Sequence, residues 1–191
     1  MCWWSGHFYV KGQKSMGLSA GAIYVSEAGV GKDLAERLGL IKPGSAPVKH
    51  AEKGFDVEDG LRIGAADGSW SCILGSPHAL LPRMEHLSND LTGQSHGRKI
   101  LFWFTQSTSG GVVFEIHENG TLLRKWVEAE GKVFEDIGDA VPEEGGLVDR
   151  DTHEGGPLHS EWTVLELAAR MTGISVDEHF DMDGPVYAAA P

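Results

Sequence analysis

Apolar positions along this chain fall into runs of two periods, and the strongest lie in its middle third. Lys99–Thr105 (KILFWFT) is a continuous apolar run of strand length and predicts a buried strand. Val112–Glu118 and Thr121–Val127 are two further strand candidates joined by Asn119-Gly120, the preferred pair for a type I′ hairpin. An uninterrupted ladder from that turn sets Ile116 opposite Leu123, Glu115 opposite Arg124 and Val113 opposite Trp126, pairing apolar with apolar and acid with base. Two shorter β-rich runs precede them, Ala22–Ser26 and Trp70–Leu74.

Helical spacing appears in three places. Leu34 and Leu38 stand one turn apart in Asp33–Leu38, and Gly39 is a natural stop. Ser76 as N-cap and Pro77 at the first helical position introduce a stripe of Leu80, Leu81, Met84 and Leu87. Ser160 opens a last helix with Trp162, Leu165, Ala168 or Ala169, and Thr172 on one face; Gly173 closes it, and Ile174–Phe180 adds a further turn. Residues 41–60 read as a long connection. Residues 129–158 read as an acidic, Gly-rich loop with room for one short strand. Strands grouped together, with helices before and after, predict an α+β fold: an antiparallel meander carrying the hairpin at 112–127, with helices packed on one face.

Length and composition narrow the picture. The 191 residues suit one domain, with 1–60 as an N-terminal strand–helix subunit within it. A hydrophobic fraction of 41% supports a real core, for which the six Trp are first candidates. Only Cys2 and Cys72 are present, so no disulfide framework is expected and a reduced cytoplasm is the natural compartment. The opening MCWWSGH lacks the basic start and apolar run of a secretory signal, and no stretch is apolar enough to span a bilayer.

Charge changes the functional reading most. The net charge is -12, which disfavours nucleic acid and anionic membranes and attracts basic partners. It is uneven: residues 1–53 hold seven Lys/Arg against four acids, a local +3, so the remainder carries -15. Glu128–Glu154 is the densest stretch, with ten acids against Lys132 and Arg150.

No catalytic motif is complete. Gly17-Leu18-Ser19-Ala20-Gly21 matches G-x-S-x-G, but the nucleophile elbow needs a strand before its Ser and a helix after it; here a strand follows. Gly29-Val30-Gly31-Lys32 resembles a phosphate-binding loop, yet Ser26 stands where its first Gly belongs and Asp33 where its hydroxyl belongs. Asp149, Asp151, His153, Glu154, His159 and Glu161 form the richest potential ligand cluster. Its two His are six apart across Gly155-Gly156-Pro157, which no single helix face can unite. A polar loop is the plainer reading, and a metal-dependent enzyme built on Asp149–Glu161 is the alternative.

Asp67-Gly68-Ser69-Trp70, the apolar strand Ile100–Phe104, the Asn119-Gly120 hairpin ending in Trp126, and the helix Leu165–Gly173 together carry a resemblance. From about Leu61 to Phe180 this layout resembles the cognate immunity proteins of bacterial polymorphic toxins and type VI secretion effectors. The resemblance implies a non-catalytic protein that caps a toxin, and its pattern offers no catalytic residue, metal or cofactor to transfer. With the acidity, it implies a basic toxin or effector domain as partner. The surface expected to meet that partner is Asp136, Asp139, Glu143, Glu144, Asp149, Asp151 and Glu154. An adaptor or scaffold subunit fits the same residues.

Overall fold

The computed structural model describes residues 19–51, 60–66, 69–107, 109–147, 159–175 and 184–191. Among these residues nine strands form one sheet: β1 (Ser19–Val25), β2 (Lys49–Ala51), β3 (Gly60–Ala66), β4 (Trp70–Gly75), β5 (Lys99–Gln106), β6 (Gly111–Glu118), β7 (Thr121–Ala129), β8 (Lys132–Ile137) and β9 (Gly184–Ala188). Their order is β2-β9-β3-β4-β1-β5-β6-β7-β8, and every neighbouring pair is antiparallel. Among the described residues four α-helices accompany them: α1 (Gly31–Arg37), α2 (Pro77–Leu80), α3 (Met84–Gln94) and α4 (Glu161–Thr172). A single 3-10 turn at Leu81–Arg83 joins α2 to α3, because Pro82 interrupts the stripe that would otherwise make one helix.

The α+β class and the antiparallel sheet are as the sequence predicts. The helices, however, cover both faces instead of one. Alternate residues of the central strands explain this. Ile23, Val25, Ile73, Phe102 and Phe104 face Leu34, Leu80, Leu87 and Leu91 from α1, α2 and α3. Ala22, Tyr24, Cys72, Leu101, Trp103 and Phe114 face Val164, Leu165, Leu167 and Ala168 of α4. A strand buried on both faces reads as a continuous apolar run, and the run at Lys99–Thr105 already carried that signal.

Three strands lie outside the predicted ones: β2 falls within the expected connection at 41–60, and β3 and β9 stand where no element is expected. β3 is masked by small residues and a fully buried Arg62. β9 contains Pro185 and inserts between β2 and β3. Glycine is required at both crossings: a Cβ at Gly60 would stand 2.6 Å from the Tyr187 carbonyl oxygen, and one at Gly184 would stand 2.6 Å from that of Ile63. α4 has the expected cap, with Thr163 N–H donating to Ser160 Oγ and Gly173 left-handed at φ 77°. Trp162 corrects the expected stripe. It is 53% exposed, while Thr163, Val164, Leu165, Leu167, Ala168 and Thr172 are buried.

Cys72 lies fully buried on the α4 face, beside Tyr24 and across from Arg62's strand. Burial pushes its thiol up to about 12, although a hydrogen bond with Tyr24 and the Arg62 charge pull it down. Cys2 lies outside the described residues.

Candidate functional site

The arrangement of the acidic region starts from one extra residue. Asn119 (φ 52°) and Gly120 (φ 78°) make the expected tight turn, with Glu118 opposite Thr121 and His117 opposite Leu122. The ladder then slips: Ile116 pairs with Arg124, Glu115 with Lys125, Phe114 with Trp126 and Val113 with Val127. The three cross-strand pairs expected from the sequence are therefore each one residue out, because Leu123 is a β-bulge. A one-residue shift exchanges the faces of a strand. It turns Arg124, Trp126 and Glu128 towards α4 and sends Lys125 to the α3 side.

Arg124, now buried, becomes a clamp. Its Nε and Nη2 donate to the two carboxylate oxygens of Glu144 at 2.9 and 3.3 Å. Its Nη1 donates to Asp136 and to the carbonyls of Ile137 and Gly138 at 3.2 and 3.1 Å. The guanidinium also lies 5.8 Å from the Phe114 ring centre and 5.5 Å from that of Trp126. Glu144 in turn accepts from the Val141 backbone N–H at 2.9 Å. One side chain thus gathers β8, the turn after it and the 3-10 turn at Pro142–Glu144. Arg170 of α4 closes the far side by donating to the carbonyls of Glu143 and Gly145 at 3.2 and 2.7 Å.

His159 fills the same pocket of aromatic side chains. Its ring meets Phe114 and Trp126 edge-on, with centroids 5.0 and 4.7 Å away. Its backbone N–H donates to Glu128 Oε2 at 3.1 Å, and Trp126 Nε1 donates to the same oxygen at 3.2 Å. Burial holds the imidazole below its usual range; Glu144 pulls the other way, and the Arg124 charge adds to the lowering.

A second polar group lies on the opposite face. His117 Nδ1 is 2.9 Å from Thr92 Oγ1, and its Nε2 is 3.0 Å from Glu115 Oε2. Hydroxyl, imidazole and carboxylate in a row have the order of a nucleophilic triad. Yet the Thr92 hydroxyl donates its one hydrogen to the Ser88 carbonyl at 2.9 Å, so its oxygen accepts from the ring. A ring that donates to a hydroxyl is not its base. The row instead ties α3 to β6, and Lys125 extends the tie to β8 by bridging Glu115 and Glu135 at 3.3 and 3.0 Å. The Glu115 carboxyl lies below the usual carboxylate range. Burial by itself would raise it, but hydrogen bonds from His117 and Ser88 and the Lys125 charge outweigh that.

The sequence-picked acids divide. Asp136 and Asp139 are exposed, and Glu143 is half-buried. Glu144 is buried and bound to Arg124, so it belongs to the scaffold beneath that surface and not to the surface itself. Asp149, Asp151 and Glu154 lie outside the described residues, as does His153 of the alternative metal cluster. Among the described residues no group of three or more His, Cys, Asp and Glu is gathered as metal ligands would be. Ser19 is the first residue of β1 and meets Ser107 Oγ at 3.3 Å, so a strand follows it where an elbow needs a helix. Lys32 of the glycine-rich turn pairs with Glu36 at 2.7 Å, one helical turn on. No described helix is long and apolar enough to cross a membrane.

Sequence reasoning missed the apolar part of the surface. Val133, Phe134 and Ile137 of β8 are 43%, 65% and 45% exposed, interleaved with Glu135 and Asp136. Their β character was visible, but an acidic, Gly-rich setting disguised them as loop. No family model, curated protein or solved structure matches the chain.

Proposed function

We propose that the protein is a non-catalytic acidic binding protein whose partner is a basic protein domain, most concretely an immunity protein that caps a cognate bacterial toxin. The observation that carries this reading is the β8 region: exposed Val133, Phe134 and Ile137 stand among Glu130, Asp136 and Asp139 on a segment held rigid from below by Arg124. Apolar side chains supply the contact that slows release. Acids around them attract a cationic surface and speed encounter. A pre-formed surface also loses little conformational entropy on binding.

The test is affinity capture from the native cell, with bound protein identified and metal measured in the same sample. The captured protein is then produced alone in a host and together with this chain. A basic partner whose growth arrest is relieved by co-production supports the reading. Stoichiometric metal without a protein partner moves the case to the alternative at Asp149–Glu161. For the captured partner, the double substitution Asp139→Lys/Glu143→Lys is expected to weaken binding about tenfold or more and to flatten its salt dependence. Unchanged affinity removes these acids from the interface.

A further inference from the structure

Among the described residues β8 ends the sheet, with no strand paired to its outer side. It pairs with β7 from Ala129 to Lys125. Both of its faces project past the helices: Lys132, Val133, Phe134, Asp136 and Ile137 are exposed, and Glu135 is half-buried. An open edge presents a row of backbone N–H and C=O groups to any strand of suitable sequence. Natural sheets shield such edges with proline, inward charges, bulges or very short strands. β8 has a bulge at Phe134 and a lysine at one end, but no proline, and its exposed side chains are largely apolar. The opposite edge of the sheet among the described residues is β2, of which three residues, Lys49–Ala51, are described.

Resting on the reading of a basic protein partner, the geometry points to the manner of its docking. An extended segment of that partner, alternating Lys or Arg with β-branched or aromatic residues, joins β8 as a tenth strand. Backbone bonds along the edge supply affinity, and alternate side chains supply selectivity. Phe134 and Ile137 offer the apolar contacts. Glu130 and Asp139 set the sign of the charge, since Glu135 and Asp136 are already paired with Lys125 and Arg124, and Lys132 is the one base between residues 128 and 143.

Charge also decides between this occupant and a second copy of the chain. Two copies joined edge to edge would lay acid against acid, each molecule carrying -12. A cationic strand meets the same edge with attraction. The two occupants therefore respond to salt in opposite directions: added salt weakens the mixed pair and strengthens the like-charged one.

The probe is a short synthetic peptide repeating Lys-Val-Arg-Ile, added to the full isotope-labelled chain and followed by amide NMR. The expected result is saturable binding that weakens with salt, with shifts and slowed hydrogen exchange centred on the amides of residues 132–137. Methylating alternate backbone nitrogens of the peptide keeps its side chains and removes its donors, and is expected to weaken binding at least about tenfold. Phe134→Asp, at an exposed position, is expected to do the same without altering the fold. No binding at about 1 mM peptide, equal binding of the methylated peptide, or shifts away from β8 each overturns strand addition. Dimerisation in the absence of peptide, strengthened by salt and protecting the same amides, overturns it in favour of self-pairing. None of these results depends on the captured partner. A failed peptide alongside a successful capture rejects the docking mode and leaves the binding reading intact, whereas a failed capture rejects the reading itself.

Discussion

Arg124 is the residue on which most of the acidic region's geometry converges. Its removal leaves Glu144 buried without its counter-charge, and an uncompensated buried carboxylate is costly. Arg124→Ala is therefore expected to lower the free energy of unfolding by about 3–5 kcal/mol, read from urea denaturation. The double change Arg124→Met/Glu144→Gln removes both charges and is expected to recover part of that loss; equal losses would show that packing, not charge, sets the cost. His159 gives a different signature. Its folded value is depressed, so its contribution is complete above the unfolded value of about 6.5 and is lost as pH falls through the folded value. Stability is expected to decline below about pH 6.5, and His159→Phe, which keeps an aromatic ring between Phe114 and Trp126, to flatten that decline. An unchanged slope would assign it to another group. Glu115 acts lower on the scale: its depressed value means stability present above about pH 4.3 and lost as pH falls through the folded value.

Among the elements, the β6–β7 hairpin shows what local sequence can and cannot announce. Asn119-Gly120 announced the turn because only a few residues tolerate two successive positive φ angles, and α4 announced both its caps by the same kind of chemistry. The bulge at Leu123 left no such mark. Leu123 is an ordinary strand residue, and what makes it a bulge is the gain from placing Arg124 and Trp126 against Phe114, Glu144 and α4, residues distant in sequence. Deleting Leu123 removes the extra residue and leaves Arg124 opposite Ile116, so Arg124, Trp126 and Glu128 keep their face. The variant is expected to keep its fixed tertiary packing, seen as a native-like near-ultraviolet circular dichroism spectrum; loss of that spectrum would mean that the bulge itself is needed. β3 and β9 escaped notice for a related reason. Their glycines and Pro185 read locally as turns, while their strand character comes from close backbone crossings that only the assembled sheet supplies. β8 was legible as at most one short strand, and its exposed apolar side chains could be recognised only once its place at the sheet edge was known.

For the molecule as a whole, charge was legible from composition and its placement only partly. The acids of the 130–144 stretch do gather around one end of the sheet, yet Glu144 was indistinguishable from Glu143 until burial separated them. The two-faced covering of the sheet was hidden because β1 and β5 give no alternation to count, being apolar on both sides. The same double covering has a practical consequence at Cys72. A neutral thiol sealed between sheet and helix is invisible to alkylating reagents until the layers part. In a chain with Cys2 replaced by Ser, the rate at which Cys72 reacts would clock how often the interior opens, with no label added and nothing removed from the fold.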